Sequence, residues 1–378
     1  MTKRRIGIAG AGIGGLTAAI ALLKQGHDVV VFEQAKGFFK VGADINLTPN
    51  AVCALDGLGE IVAEGLRKTA ARPDYRISRD GYTGEETSRL GMSAQAEENY
   101  GAPQLTIHRA DLIQALADAF PLEGVQFDKR LTGVEQNNGQ VVASFADGSN
   151  ENLDILIGAD GIHSTVRTAL LGEEKPQFTG VVAYRAVVPT DRVKGLSDPN
   201  SFTKWWGPVP EVQIVNFPLN RGEDIFIFAT TPQDDWHLES WTTNGEVSEL
   251  ADIYKDFHPE ARALLDACDS VLKSALYIRD PLPKWHEGRM VLMGDACHPM
   301  MPFMAQGAGQ AIEDAIVLAR CLEPERFNTP EEAFDAYQAL RLPRTSKIQI
   351  ASRSNTWLRK GESADWLYAY NAWEVPLA

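Results

Sequence analysis

Apolar positions run almost unbroken through RRIGIAG and again through HDVVVFEQ, with LTAAIALLKQG between them. Short continuous apolar runs suit strands covered on both faces of a parallel sheet, and the middle stretch has the apolar spacing of a helix. The opening pattern therefore predicts strand, glycine turn, helix ending at Gly26, strand. Residues 72–106 are more polar and carry turn signals (RDGYTGEE), which predicts strands or loops outside the first unit. IHRADLIQALADAF predicts a capped helix with Leu112, Ile113, Leu116 and Phe120 on its apolar side. Short strands follow from 125, with hairpin signals at NNG and ADGS, and ILIGAD ends at Asp160 before a helix in IHSTVRTALL.

Between 180 and 280 the alternation is that of an antiparallel sheet: VVAYRAVVP, SFTKWW, EVQIVNF and EDIFIFAT, with helices in ELADIYKDF and EARALLDAC. After 280 the chain returns to the first pattern. Met290–Met293 predicts a buried strand, Gly294-Asp295 a turn, and Gly307–Gly309 the start of a helix. That helix carries Ala311, Ile312, Ala315, Ile316 and Ala319 at core spacing, with Glu313 and Asp314 on its other face. The tail from 330 reads as helical and aromatic-rich, with Trp357, Trp366, Tyr368, Tyr370 and Trp373. The fold class is α/β: a discontinuous nucleotide-binding domain over 1–72, 98–178 and 276–330, a mixed or antiparallel sheet domain over 73–97 and 179–275 inserted in it, and a helical C-terminal segment over 331–378.

Composition adds exclusions. At 378 residues, 44% hydrophobic and 23% charged, the chain is of ordinary globular make-up and long enough for about two domains. Its net charge of −15 argues against nucleic acid and anionic membrane as partners. Lys3, Arg4 and Arg5 before an apolar run mimic a secretion signal, but Gly10, Gly12, Gly14 and Gly15 interrupt that run and no cleavage site follows it. Cys53, Cys268, Cys297 and Cys321 form no CxxC pair, so we expect no metal site and reduced thiols in the cytoplasm.

The candidate chemistry lies in four places. Gly10-x-Gly12-x-x-Gly15 sits between strand and helix, where glycines admit a tight turn and a close-lying pyrophosphate at the helix N-terminus. Glu33, followed by Gln34, ends the second strand 18 residues after Gly15, placed for a ribose diol. Arg109 opens a helix, where it either reaches a pyrophosphate or is a solvated first-turn charge. Asp160 and Asp295 both close strands where an open α/β sheet binds ligands; for Asp160 the alternative is an N-cap, with Arg167 on the surface. For Cys297 and His298 we expect loop packing and no ligation, while Met300, Met301, Phe303 and Met304 form an apolar wall, of a pocket or of core. No GxSxG, HExxH or GxxxxGK[ST] is present, so a cofactor is expected to carry the chemistry.

Together GAGIGG, Glu33, HRADL, IGADGIHSTVR and GRMVLMGDACHPMMPFMAQGAGQAIEDA resemble the successive motifs of single-component (group A) flavin-dependent aromatic hydroxylases, and the similarity runs through SRDGYTG, VAYRA, KWW and SNTWL. The resemblance implies FAD in a glutathione-reductase-like domain, NADH or NADPH as co-substrate, and dioxygen. The expected reaction hydroxylates a small aromatic or N-heteroaromatic acid or phenol, with or without decarboxylation, through a C4a-hydroperoxyflavin. It implies FAD contacts at Gly10, Gly12, Gly14, Gly15, Glu33, Gln34, Arg109, Leu131 (adenine side), Asp160, Asp295 and the helix start Gly307, Ala308, Gly309. Members that act on pyridine acids line the substrate pocket with histidines, a tyrosine and a cysteine. Here the matching places read Asn46, Glu211 or a neighbour, Phe303, Val215 and Phe202. That departure implies a different, less polar aromatic substrate, with Asn46, Gln213, Val215 and Phe303 as pocket candidates, Asn216 if the register differs by one, and the catalytic base unknown. Alternatives are an FAD monooxygenase of non-aromatic substrates (epoxidation or Baeyer–Villiger insertion) and a flavin-binding protein without turnover. The expected state is monomer or homodimer.

Overall fold

The computed structural model describes residues 3–38, 44–137, 139–234, 243–355 and 363–377. Its first sheet has six strands in the order 286–287, 290–292, 155–158, 5–9, 28–32, 125–126, parallel except for the edge hairpin. Ile8 pairs with Ile157, which pairs in turn with Val291, so three segments far apart in sequence end side by side. Ile6, Ile8, Leu156, Ile157 and Val291 are fully buried, as the continuous apolar runs require. Helix Ile13–Lys24 leaves the glycine turn and packs on helix Gly307–Cys321, with Gly14 facing Ala311.

The second sheet has eight strands, in the order 243–245, 271–278, 177–189, 224–232, 213–219, 202–206, 75–80, 86–91. All its pairings are antiparallel except that of Phe202–Trp206 with Tyr75–Asp80. One face packs Trp205, Ile214, Ile225 and Ile227 on helices Val247–Ile253 and Pro259–Asp266. The opposite face carries Phe202, Val215, Phe217 and Phe228 and meets Met301 and Phe303, which come from the loop before helix Gly307–Cys321. A two-stranded ribbon, Asp44–Leu47 with Leu105–His108, lies beside this face, where Thr106 Oγ1 donates to Pro218 O at 2.6 Å.

Three expectations change. Ser93–Tyr100, inside the stretch read as strands or loops, is a helix that ends at left-handed Gly101 (φ +75°). Its Ala, Gln and Glu residues favour helix, but it buries only Ser93 and Ala96 and so carries little periodicity. Glu313 and Asp314 do not face outward. Helix Pro330–Ser352 covers that side, and both acids are fully buried. Arg167 is buried as well, paired with Glu174. Trp357 lies outside the described residues. No helix among them is long and apolar enough to cross a membrane.

Candidate active site

The carboxyl ends of the parallel strands bring the predicted residues to one edge. Ala9 runs into Gly10, Phe32 into Glu33, Gly158 toward Asp160, and Leu292 toward Gly294-Asp295. Gly10 has φ +102°, and a Cβ there would lie 2.5 Å from Ala159 O. At Gly15 a Cβ would collide with Gly10 O. Gly12 differs: a Cβ there meets nothing within 4 Å. The turn thus leaves an open cradle at the start of helix Ile13–Lys24, where unpaired N–H groups and the positive helix end attract a phosphate. Glu33 closes the cradle, accepting from Ala11 N at 2.9 Å and from Ala35 N at 2.8 Å. Gln34 lines an outward-facing hollow with Ala35, Asp128 and Arg130, and buried Leu131 follows Arg130.

Arg109 is the first residue of helix Arg109–Ala117, exposed, and its charge is felt at both Asp44 and Asp295. Asp295 is reached by solvent yet surrounded by protein, as a side chain on a cleft wall is. That crowding pushes its carboxyl up, against the pull of His298 and Arg109. Asp44 is pushed up to about 7 by burial, with Arg185 and Arg109 opposing. The Asp160 carboxylate accepts from Ser164 Oγ, from Thr165 N at 2.8 Å and from Val166 N at 3.2 Å, beside the start of helix Thr165–Leu171, whose N-cap is Ser164.

Asp44 gives a pH test. Between about pH 4 and 7 the native carboxyl keeps a proton that the unfolded chain releases. The contribution of Asp44 to native stability of the apoprotein should therefore fall as pH rises through that window and level off above it. In Asp44→Asn the slope in thermal melts from pH 4.5 to 8 should become less negative, with Asp295 still contributing; an unchanged slope would remove Asp44 as a contributor.

Behind the Gly294-Asp295 turn lies an ionic lattice. Arg341, fully buried, donates to Glu313 at 2.6 Å, to Asp314 at 2.8 Å and to Gln310 Oε1 at 2.7 Å. Arg344 adds two bonds to Glu313, and Asn50 a third. Burial alone would raise Asp314, yet His298 and Arg341 draw it down to about 2. Asp314 Oδ2 accepts from Gly294 N at 3.0 Å and meets His298 Nε2 at 2.5 Å. Asp314 thus holds the turn that carries Asp295. Cys297 joins His298 and Asp314 with all three ligand atoms within 4.8 Å. Arg341 already neutralises that carboxylate, so the cluster belongs to the lattice.

The next helix begins at Gly307, where a Cβ would meet only Met300, at 4.0 Å, so the N–H groups of Gly307 and Ala308 are approachable. Gly309 packs on Ala51, and Gln306 ties the helix start to Thr48 at 2.8 Å. On the substrate side Val215 and Phe303 share one cluster with Phe202, Phe217 and Phe228. Gln213 lies on the same strand face as Val215, buried, its Oε1 without a partner. Asn46, in the ribbon, accepts from Gln104 Nε2 at 2.9 Å. Asn216 is on the opposite face, where its Oδ1 accepts from Trp205 Nε1 at 3.0 Å, so the alternative register is excluded. Sequence reasoning passed over Lys204, which alternates with Phe202 and Trp206 toward the pocket; the period-two pattern of SFTKWW was its only signal.

A model of the FAD binding domain matches residues 3–352. The 6-hydroxynicotinate 3-monooxygenase of Pseudomonas fluorescens is 40% identical over 374 residues, 99% of this chain and 96% of that protein. The 3-hydroxybenzoate 6-hydroxylase 1 of Aquipseudomonas alcaligenes is 36% identical over 351 residues, 92% of this chain and 87% of that protein. Among solved structures, Klebsiella pneumoniae HpxO complexed with FAD and uric acid aligns at TM-score 0.84 and 27% identity, covering 96% of this chain and 90% of that one. A salicylate hydroxylase substrate complex aligns at 0.83 and 26%, covering 98% and 96%. The open cradle at Gly12, the acid at Glu33 and the second turn at Asp295 agree with these matches. The chain belongs to the FAD binding domain family of flavoprotein monooxygenases.

Proposed function

We propose that this enzyme hydroxylates a small aromatic or N-heteroaromatic acid, with NAD(P)H as reductant and dioxygen as oxidant. One oxygen atom enters the ring and the other leaves as water, so two electrons are drawn from the coenzyme. FAD, when bound, supplies the transfer of those electrons to dioxygen. In this reading the Gly10–Gly15 turn and Arg109 hold its phosphates, Glu33 takes the adenosine ribose, and Asp295 takes the polyol. The N–H groups at Gly307–Gly309 face the ring system, where the positive helix end stabilises negative charge. Residues 1–72, 98–178 and 276–330 serve the cofactor, and 73–97 with 179–275 the substrate.

The observation that carries the reading is the meeting of two surfaces. The loop that joins Asp295 to the helix at Gly307 also lays Met301 and Phe303 on the apolar face of the eight-stranded sheet. A substrate on that face therefore lies next to the cofactor cleft, in surroundings that exclude water from the reacting ring. Four free cysteines fit a reducing cytoplasm. The test is direct: the purified protein should be yellow with FAD, and a panel of hydroxybenzoates and hydroxypyridine carboxylates should contain an acid that accelerates NADH or NADPH oxidation and either gains one oxygen by mass or exchanges its carboxyl group for a hydroxyl. A protein that takes up no FAD, or whose flavin reduction answers to no aromatic acid, would overturn the reading.

A further inference from the structure

The ribbon of Asp44–Leu47 and Leu105–His108 has two unlike faces. Ile45, Leu47, Leu105 and Ile107 turn into the core around the six-stranded sheet. Asp44, Asn46, Thr106 and His108 alternate with them and share the other face. Two observations aim that face at the eight-stranded sheet. Thr106 Oγ1 donates to Pro218 O, and His108, the register partner of Asp44, lines one hollow with Val187, Leu219 and Asp224. Val187 and Leu219 belong to the sheet face that carries Phe228 and Val215.

Asp44 therefore projects from the cofactor side toward the substrate side, with the pocket candidate Asn46 next to it on the same face. The sheet contributes Arg185, two residues before Val187 and cross-strand neighbour of Phe228, which is in turn the neighbour of Val215. Its guanidinium carbon lies 5.3 Å from the Phe228 ring centroid, and it donates to Ser274 Oγ. Among the described residues no ion pair ends on Asp44, and only its own N–H donates to its carboxylate. The charges felt there are those of Arg185 and Arg109, and His108 is the titratable group across the ribbon. The acids of helix Gly307–Cys321, which packs on strand Asp44–Leu47, are taken up by Arg341 and Arg344. A half-buried carboxyl at this seam, without a structural donor, is open to a ligand donor. Burial holds it at about 7, close to the pH at which a proton acceptor works.

We propose that Asp44 is the catalytic base: it receives the hydroxyl proton of an aromatic acid that lies between the ribbon and the sheet face of Phe228 and Val215. The substrate O–H bond breaks, its proton passes to a carboxylate oxygen of Asp44, and the electron pair stays on the substrate oxygen, from where it activates the ring carbon to be oxygenated. When the oxygenated ring sheds its displaced hydrogen as a proton, the substrate oxygen regains a proton from Asp44, which ends as it began. The proposal rests on the hydroxylase reading above.

The test uses FAD-loaded wild type, Asp44→Asn and Asp44→Glu, with 3-hydroxybenzoate, 6-hydroxynicotinate and the rest of the acid panel as probes. Oxygenated product and hydrogen peroxide per NADH are measured from about pH 6 to the ~10 of a phenolic hydroxyl. With the acid that wild type oxygenates best, Asp44→Asn should form product at least about tenfold more slowly near pH 7.5, the lost product appearing as peroxide. That deficit should shrink as pH approaches the ionisation of the free hydroxyl, where the ring no longer needs a base. Asp44→Glu should recover part of the activity at pH 7.5, and FAD content should stay within about twofold in both variants. A loss below tenfold in Asp44→Asn, or one equal at every pH, would overturn the assignment and leave the hydroxylase reading intact. A wild type that forms product from no acid of the panel would overturn both.

Discussion

Gly12→Ala is expected to fold like the wild type and to bind FAD at least about 100-fold more weakly, a loss of about 2.7 kcal/mol. The residue has φ −74° and ψ −176°, which alanine adopts without strain, and its Cβ would meet no protein atom within 4 Å. Whatever the methyl displaces must come from outside the protein, and the cradle is where the phosphates belong. Gly15→Ala is the contrasting variant. Its methyl collides with Gly10 O, and the helix cannot move away, because a Cβ at Gly14 would already lie 3.1 Å from Ala311 and Met293. Overpacking against backbone should lower apoprotein stability by about 3 kcal/mol and abolish FAD retention with it. Thermal melts of the apoproteins and FAD fluorescence titrations separate the two. If Gly12→Ala binds FAD with wild-type affinity, the phosphates do not lie at this turn.

That contrast reflects what could be read in the chain. The glycine turn, Glu33 and the Gly294-Asp295 turn are local: each needs only a strand that ends and a residue type that the following turn or helix start demands. Their convergence follows from parallel pairing of four strands, so apolar runs and end residues together announced the cofactor edge. Asp160 shows the limit, since an acid before a helix serves equally there and at a ligand crevice, and its bonds to Ser164, Thr165 and Val166 emerge only in the fold. The substrate side depends on which residues of two strands face one loop. Gln213 and Val215 follow from alternation along one strand, but Lys204 acquires meaning only when Asn355, 151 residues later, fixes its ammonium. Glu313 and Asp314 misled for a related reason. Helix Gly307–Cys321 is buried nearly all round, and the arginines that neutralise its acids arrive 27 to 31 residues downstream on another helix.

Arg341→Met should be the most damaging single change in the chain. It leaves Asp314 with only His298 and Gly294 N, and Glu313 with Arg344 and Asn50, in a core from which water is excluded. Removing one partner of a buried ion pair costs about 3–5 kcal/mol, a large share of the roughly 5–15 kcal/mol that holds a domain folded. The apparent Tm should fall by about 10 °C, or the variant should accumulate as insoluble protein. FAD affinity should fall as well, because Asp314 accepts from Gly294 N and so places the turn that carries Asp295. The combined change Arg341→Met, Glu313→Gln, Asp314→Asn discriminates between lost packing and stranded charge. It removes the uncompensated carboxylates while an amide oxygen at 314 can still accept from Gly294 N, so it should regain much of the lost Tm relative to Arg341→Met alone. A wild-type melting curve for Arg341→Met would show that the lattice contributes nothing to stability; a triple variant no better than the single one would mean that the guanidinium acts by packing and not by charge.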